Sequence, residues 1–167
     1  MKYIVTGCAG FIGMHLAEKI LKKGDTVLGI DTLNNYYSQK LKFKRLEILK
    51  GYKNFSFLKD DITKKKIINV FKKFKPDKVI HLAAFAGVRH SIVKPYDYSG
   101  TNILGFLNIL EGCKVSKCDH LIYASSSSVY GSNKTKFFSE DQQCNTPLSL
   151  YGASKLANEH MAHSYSH

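Results

Sequence analysis

The chain has 167 residues, of which 44% are hydrophobic, and its 25 Lys and Arg against 13 Asp and Glu give a formal net charge of +12. This length is sufficient for one domain with a sizeable core, and no apolar run reaches the roughly 20 residues of a transmembrane helix, so no membrane partner is expected. The lysines are scattered over the polar faces of predicted helices, which indicates solvated surfaces and no nucleic-acid partner.

The first predicted elements are a strand, a glycine-rich turn and the start of a helix. The apolar run 3–5 leads directly into Thr6-Gly7-Cys8-Ala9-Gly10-Phe11-Ile12-Gly13. Such a turn lets the backbone approach a ligand closely, and the helix that follows directs free N–H groups at phosphates. The pattern predicts a pyrophosphate site, although an ordinary strand–turn–helix unit remains an alternative. Because the strand begins at once, there is no room for a signal peptide, and a cytoplasmic location is predicted.

A second strand is predicted over 26–30, and it ends at Asp31, 18 residues after Gly13. An acidic residue at this point accepts hydrogen bonds from an adenosine ribose and repels a 2′-phosphate. The expected cofactor is therefore NAD rather than NADP, with a simple turn aspartate as the alternative. The helix between the two strands is predicted over 11–23, with an apolar side made of Phe11, Ile12, Leu16, Ile20 and Leu21.

Strands and helices continue to alternate along the chain. Further strands are predicted at 55–58, 78–82 and 121–124. Further helices are predicted over about 39–49 and about 97–115. Another helix ends near Phe74, and the last one begins near Leu148. This alternation predicts an α/β fold, a Rossmann-like doubly wound parallel sheet with helices on both faces. Ligands of such sheets lie beyond the carboxyl ends of the strands, where small or polar residues follow each predicted strand.

Two patterns near the C-terminus predict acid–base chemistry. Tyr151 and Lys155 are four residues apart and share one helix face, where an ammonium group favours the phenolate and so suits the phenol to general base and acid catalysis. The serine run 125–128 follows the fifth strand and can hydrogen-bond a substrate hydroxyl or carbonyl. The alternatives are a packed tyrosine with a solvated lysine and an ordinary polar strand-to-loop transition.

The cysteines show no pattern of metal ligands. Cys8, Cys113, Cys118 and Cys144 lack C-x-x-C pairing, so we predict reduced thiols and no metal site. Cys8 lies in the glycine turn, where any small residue suffices, and a redox role is not expected for it.

These patterns together resemble the extended short-chain dehydrogenase/reductase family of NAD-dependent sugar-nucleotide epimerases and dehydratases. The resemblance is carried by residues 6–13, Asp31, Asp61-Ile62, 81–84, Asn102, 125–131, Tyr151 and Lys155. Within that family the chain is most similar to the UDP-glucuronate 4-epimerases, through residues 31–37, 86–89, 105–111, 124–131 and 161–167.

The resemblance implies a cofactor-binding role for a set of residues along the strand ends. The pyrophosphate would be held by Gly7, Gly10, Phe11, Ile12 and Gly13. Asp31 and Asn35 would hold the adenosine ribose, and Asp61 and Ile62 would contact the adenine. The path of the dinucleotide would be lined by Leu82, Ala83 and Ala84, and the same cofactor-binding set includes Asn102, Tyr151 and Lys155.

The resemblance also implies a reaction, the C4 epimerisation of UDP-glucuronate through a 4-keto intermediate. Tyr151 would be the base, Lys155 would tune it and hold the nicotinamide ribose, and Ser126 would position the reacting oxygen. A partner for the uronate carboxylate is expected among Arg89, Ser127 and Ser128. The partner molecule of the site is thus a nucleotide-sugar substrate.

Alternatives to this function remain open. Family members are roughly twice as long, so residues 1–167 are expected to be an NAD-binding domain without the substrate domain, weak or inactive in catalysis, with Met161 and Tyr165 exposed. A UDP-glucose 4-epimerase, another epimerase or dehydratase, or an inactive NAD-binding module are the alternatives. Dehydration is disfavoured because an acidic residue is expected beside the catalytic Ser or Thr, where this chain has serines. A homodimer is expected through 97–115 and 148–167.

Overall fold

The computed structural model describes residues 1–167, which form one five-stranded parallel sheet with the strand order β3-β2-β1-β4-β5. The strands are β1 (Lys2–Thr6), β2 (Thr26–Asp31), β3 (Phe55–Lys59), β4 (Lys78–His81) and β5 (His120–Tyr123). Tyr3 of β1 pairs with Val27 on one side and with Lys78 on the other. The strand order therefore reverses at β1 and β4, which is the switch point where ligands of such sheets bind.

Helices cover both faces of the sheet, and the predicted doubly wound α/β fold is confirmed. They are α1 (Phe11–Lys22), α2 (Gln39–Lys50), α3 (Ile67–Phe74), α4 (Val88–Val93), α5 (Pro95–Tyr98), α6 (Phe106–Ser116) and α7 (Leu150–Ser166). Neighbouring residues of β1 show why two layers form. Val5 packs with Met14 and Leu21 on one face, whereas Ile4 packs with Ile67 and Ile109 on the other, because successive strand side chains point to opposite faces.

The predicted helix over 97–115 is divided by a π-helical segment, Ser99–Gly105, between α5 and α6. Glycines at positions 100 and 105 weaken regular helix propensity there, and π-turns occur frequently at functional sites. A Cβ atom at Gly105 would lie 2.7 Å from Ile62 Cδ1, so the absence of a side chain lets this segment pack closely on the loop after β3. The short helix α4 was not predicted.

The prediction that α1 buries Phe11 and Ile12 was wrong. Their side chains are 67% and 64% exposed, whereas Ile20 and Leu21 farther along the helix are buried as predicted. The first turn of α1 follows the glycine turn at the carboxyl end of β1, beyond the sheet that covers the later turns.

The strand β5 lies at the edge of the sheet and pairs only with β4. Ile122 of β5 is 46% exposed, so the serine run follows an edge strand rather than a fully buried one. Tyr165 near the end of α7 is exposed as predicted, whereas Met161 is half-buried. No helix of the chain has the length and apolar character needed to cross a membrane.

Candidate functional site

The glycine turn after β1 is packed so closely that side chains are excluded from it. Gly7 has a φ of +71°, and a Cβ atom there would lie 2.8 Å from the backbone nitrogen of Ala83. A Cβ atom at Gly13 would lie 2.1 Å from the carbonyl oxygen of Gly7. Gly10 precedes α1, and no side chain caps this end of the helix. The first N–H groups of α1 thus remain available to an anion.

Cys8 of the same turn belongs to the hydrophobic core. Its side chain is fully buried in the core cluster beside Val5 and Val27. Burial, assisted by the negative charge of Asp31, raises the pKa of the Cys8 thiol well above its usual range. No group of His, Cys, Asp or Glu side chains is placed to hold a metal ion.

The carboxylate of Asp31 is held in a fixed orientation by two backbone groups. Its Oδ2 accepts a hydrogen bond from the N–H of Ala9 at 3.1 Å, and its Oδ1 accepts one from the N–H of Leu33 at 2.8 Å. The bond to Leu33 is that of a turn aspartate, and the bond to Ala9 ties β2 to the glycine turn. Each oxygen can still accept a further hydrogen bond, and Asp31 lines a cleft.

This cleft of about 450 Å³ lies at the carboxyl ends of the strands and brings most of the predicted cofactor-binding residues together. The predicted residues that line it are Gly7, Gly10, Asp31, Asp61, Ile62, Leu82, Ala83 and Ala84. Phe11, Ile12, Gly13 and Asn102 are not among its lining residues. Asn35 is exposed and also outside the lining, whereas its neighbour Asn34 borders the cleft.

Lys42 is a cleft residue that the sequence analysis missed. It is 5% exposed, and its Nζ donates to the carbonyl oxygen of Asn34 at 3.0 Å and to Asn34 Oδ1 at 2.6 Å. The ammonium also lies 4.5 Å from the ring centre of Tyr37, and burial lowers the pKa of Lys42. The signal was its position on the buried face of α2, at helical spacing from Leu46 and Leu49.

The loop after β3 borders the cleft through Asp61 and Ile62. Asp61 Oδ1 accepts a hydrogen bond from the N–H of Thr63 at 2.9 Å, and the carbonyl oxygen of Ile62 accepts one from Asn108 Nδ2 at 2.8 Å. Asp60, which the sequence analysis did not select, also lines the cleft and forms an ion pair of 2.8 Å with Lys66. The backbone of this loop is thus fixed by its own side chains and by α6.

Asn102 connects the cleft to the last helix. Its Oδ1 accepts from the N–H of Phe85 at 2.9 Å, and its Nδ2 donates to the carbonyl oxygen of Phe85 at 3.0 Å and to Ser154 Oγ at 3.1 Å. Phe85 lines the cleft and Ser154 lies in α7. The side-chain amide of Asn102 is therefore occupied within the protein, where it joins two parts of the candidate site.

Tyr151 and Lys155 lie on α7, outside the lining of the cleft. Lys155 is 4% exposed, its Nζ donates to the carbonyl oxygen of Ala124 at 2.9 Å, and burial lowers its pKa to about 8. Tyr151 is half-buried, with its ring edge-on to that of Tyr98 at 6.2 Å between centres. Its hydroxyl makes no hydrogen bond within the chain. One helix face thus presents a free phenol and a buried ammonium.

The serine run leads from β5 towards the start of α7. Ser126 caps a 3₁₀ helix, Ser127–Tyr130, with its Oγ accepting from the N–H of Ser128 at 3.2 Å. Ser125 donates to the carboxylate of Glu159 on α7. Ser127 is exposed, Ser128 is half-buried, and Arg89 on α4 is exposed. A Cβ atom at Gly152 would lie 2.7 Å from the carbonyl oxygen of Ser128, so α7 begins directly against this segment.

A family model described as GDP-mannose 4,6 dehydratase matches residues 4–167. The chain belongs to this family. Its predicted resemblance to the NAD-dependent epimerases and dehydratases is thereby confirmed.

Relatives in the family share sequence with the whole chain. Protein CapI of Staphylococcus aureus is 50% identical over 173 residues, which cover 100% of this chain and 50% of the relative. A UDP-glucuronate 4-epimerase of Thermodesulfobacterium geofontis is 44% identical over 166 residues, covering 99% of this chain and 51% of the relative. The chain thus spans about half the length of the curated relatives that it matches.

Solved structures of epimerases superpose closely on the chain. The UDP-glucuronic acid 4-epimerase of Bacillus cereus, in complex with UDP-glucuronic acid and NAD, has a TM-score of 0.89 and 40% identity, with 99% of this chain and 52% of that chain covered. The UDP-Glc/GlcNAc 4-epimerase of Campylobacter jejuni has a TM-score of 0.89 and 28% identity, covering 99% of this chain and 49% of that chain.

Proposed function

We propose that this chain is the NAD-binding part of a nucleotide-sugar 4-epimerase that acts on UDP-glucuronate. The observation that carries the proposal is the link from Phe85 through Asn102 to Ser154. It joins a cleft suited to a dinucleotide to the helix that bears a free phenol and a buried ammonium. Similarity to UDP-glucuronate 4-epimerases of 44% sequence identity supports the same reaction class.

The residues of the cleft fit NAD. The glycine turn packs so closely on its own backbone that Cβ atoms have no room, and no side chain caps the start of α1 that would face a pyrophosphate. The Asp31 carboxylate is oriented by Ala9 and Leu33 at the position where a ribose is bound in such folds. The residues that would hold NAD are Gly7, Gly10, Phe11, Ile12, Gly13, Asp31, Asn35, Asp61, Ile62, Leu82, Ala83, Ala84, Asn102, Tyr151 and Lys155. When bound, NAD would supply the hydride acceptor and donor of the reaction.

The proton chemistry falls to three side chains. The Tyr151 hydroxyl would take the proton of the sugar 4-hydroxyl and later return it, which its lack of an internal partner supports. Lys155, with a pKa of about 8, carries a positive charge at neutral pH and would favour the phenolate. Ser126 would donate a hydrogen bond to the reacting oxygen. Burial of Lys155 strengthens its electrostatic effect, since nearby water is excluded.

The choice of substrate rests on fewer residues. Exposed Arg89 and the hydroxyls of Ser127 and Ser128 would bind the uronate carboxylate. Action on UDP-glucose is the second candidate, which similarity to the Campylobacter jejuni epimerase at 28% identity supports. A 4,6-dehydratase is disfavoured because the neighbours of Ser126 are serines and not acids. An inactive NAD-binding module is the third candidate.

A homodimer is part of the proposal. Leu104 and Leu107, on the π-helical segment and α6, are 48% and 36% exposed, and Tyr165 on α7 is 38% exposed. These apolar side chains of the π-helical segment, α6 and α7 would be covered by a second copy of the chain. Analytical ultracentrifugation of the chain and of a Leu104→Lys variant tests this, with a monomer expected only for the variant.

Calorimetric titration with NAD, and with NADP as the comparison, tests the cofactor site. We expect NAD to bind and NADP to bind at least about tenfold more weakly, because of the charge of Asp31. Gly7→Ala is expected to abolish binding, whereas Gly24→Ala is the matched control. Gly24 also has a positive φ, of +87°, but a Cβ atom there would have nothing within 4 Å. Equal binding of NAD and NADP would contradict the assignment of Asp31.

Proton NMR of UDP-glucuronate incubated with the chain and NAD tests the reaction. Appearance of the C4 epimer, and its loss in Tyr151→Phe, would support the epimerase. Conversion of UDP-glucose in place of UDP-glucuronate would favour the second candidate. Cofactor binding without turnover of either sugar would favour the NAD-binding module.

A further inference from the structure

The segment 85–87, which follows β4, is held by side chains from three other parts of the chain. The carbonyl oxygen of Phe85 accepts from Asn102 Nδ2 at 3.0 Å, and that of Gly87 accepts from the Tyr98 hydroxyl at 2.8 Å. Between them, the carbonyl oxygen of Ala86 accepts from the hydroxyl of Tyr36. Asn102 and Tyr98 come from the neighbouring helices, whereas Tyr36 comes from the other side of the cleft.

The position of Tyr36 follows from the strand order. Tyr36 lies in the segment after β2, and Ala86 lies in the segment after β4. Because β1 lies between β2 and β4, a bond between these segments passes over the carboxyl end of β1. The glycine turn begins at that end, and Tyr36 lines the same cleft as Gly7 and Gly10 of this turn.

The ring of Tyr36 lies in a seat formed by Phe85, Gly87 and His90. The ring packs edge-on against Phe85, with centres 5.2 Å apart, and against His90, with centres 4.9 Å apart. Gly87 has a φ of +135°, and a Cβ atom there would lie 3.0 Å from the Tyr36 hydroxyl oxygen. Because Gly87 has no side chain, the Tyr36 hydroxyl has room to approach the backbone.

We propose that the hydrogen bond from Tyr36 to the Ala86 carbonyl, which we call the Tyr36 latch, controls the entry and release of the cofactor. The inference rests on the proposed function, since it takes the cleft to be a dinucleotide site. The Tyr36 side chain is 36% exposed, so its ring can leave the seat towards solvent. When this hydrogen bond is formed, the latch holds together the two segments that border the cleft. When it is broken, the two segments can separate above the glycine turn.

The latch affects rates more than affinity. A dinucleotide must pass between the two segments both on entry and on release, so loss of the hydrogen bond speeds both steps. Tyr36→Phe removes the hydroxyl and keeps the ring contacts with Phe85 and His90, whereas Tyr36→Ala removes both. The rate constants of dissociation therefore increase in the order wild type, Tyr36→Phe, Tyr36→Ala.

Stopped-flow fluorescence with 1,N6-etheno-NAD measures these rates. In Tyr36→Phe the dissociation and association rate constants are each expected to rise about tenfold, the effect of one lost hydrogen bond, while Kd changes by less. The matched control is Tyr52→Phe, whose hydroxyl donates to Glu18 at 3.1 Å away from the cleft. A dissociation rate constant in Tyr36→Phe equal to that of wild type would overturn the proposal.

Hydrogen–deuterium exchange of the chain without nucleotide separates the latch from the proposed function. Faster amide exchange in both segments, 32–38 and 85–88, is expected in Tyr36→Phe and not in Tyr52→Phe. Unchanged exchange in the two segments would overturn the latch even where NAD binds. Absence of NAD binding by the wild-type chain would instead refute the proposed function, and the exchange data would still decide whether the latch exists.

Discussion

The side chains of Thr6 and His81 meet at the switch point of the sheet, with 2.7 Å between Thr6 Oγ1 and His81 Nδ1. Thr6 Oγ1 also accepts hydrogen bonds from the N–H groups of Leu82 and Ala83, each at 3.2 Å. The hydroxyl proton of Thr6 is therefore free to be donated to Nδ1, which places the ring proton of a neutral His81 on Nε2. This network fixes Ala83, against which Gly7 of the glycine turn is packed.

The first prediction concerns the acid stability that His81 controls. Burial, together with the positive charge of Lys155, lowers the pKa of His81 to about 3 from its ordinary 6.5. Between these values the unfolded chain binds a proton that the folded chain does not, so stability is lost as pH falls below 6.5. We expect the free energy of unfolding to fall by about 1 kcal/mol per pH unit between pH 6 and pH 4, relative to a His81→Gln variant.

Urea denaturation of both chains across this pH range measures the difference. Other groups titrate equally in the two chains, so the difference isolates His81. Parallel pH profiles for wild type and His81→Gln would show that His81 keeps its ordinary pKa in the folded chain, contrary to its burial beside Thr6.

Sequence patterns predicted the sheet and one end of the site because both depend on local rules. The glycine turn follows directly after β1, Asp31 is the last residue of β2, and the glycine spacing is typical of a close backbone approach. The roles of Lys42 and Asn102 could not be predicted in this way. Each depends on a partner distant in the sequence or on a loop conformation, such as the bonds of Asn102 to Phe85 and Ser154.

The errors have similar physical causes. The apolar periodicity of α1 correctly placed Ile20 and Leu21 but not Phe11 and Ile12, since periodicity does not show where a helix extends beyond its sheet. The helix predicted over 97–115 is divided by a π-helical segment, in which Gly105 packs closely against Ile62. That contact joins the π-helical segment to the loop after β3, and no local sequence pattern predicts it.

The second prediction concerns Lys155 at alkaline pH. Burial lowers its pKa to about 8 from an ordinary 10.5. Below pH 8 both folded and unfolded chains carry the charge, and the folded chain bears the cost of burying it. Between pH 8 and pH 10.5 only the unfolded chain remains protonated, so the free energy of unfolding rises with pH. Relative to Lys155→Met, wild type is expected to gain about 3 kcal/mol across this window.

Thermal or urea denaturation at pH 7, 9 and 10.5 measures this gain. Comparison with Lys155→Met is essential because the cysteines and tyrosines also titrate in this range. A difference in unfolding free energy that stays constant with pH would mean that Lys155 keeps its ordinary pKa. The burial of its ammonium group would then be contradicted.

The third prediction concerns the link between the cleft and α7. Asn102→Ala leaves the N–H and the carbonyl oxygen of Phe85 without their partner, and the unfolding free energy is expected to fall by about 2–4 kcal/mol. Asn69→Ala, at an exposed position of α3, is the matched control and is expected to change stability by less than about 0.5 kcal/mol. Equal stability of the two variants would show that the Asn102 hydrogen bonds do not hold the segment.

The fourth prediction concerns Asp31, which has both a structural and a cofactor role. Asp31→Ala leaves the N–H groups of Ala9 and Leu33 unpaired in a buried site, so a loss of about 2–4 kcal/mol in unfolding free energy is expected. Asp31→Ser retains a hydroxyl that can accept one of the two hydrogen bonds. We expect Asp31→Ser to be the more stable variant in urea denaturation.

The two variants separate charge from structure in cofactor binding. Both remove the carboxylate that would repel a 2′-phosphate, so the ratio of NADP to NAD affinity is expected to rise by about tenfold or more in Asp31→Ser, and NAD affinity to fall. Calorimetric titration of both nucleotides, at a temperature where each variant is folded, measures the ratio. A ratio that stays at the wild-type value, with the variant folded, would mean that the 2′ position does not lie beside Asp31. The orientation of that carboxylate by Ala9 would then serve only the turn.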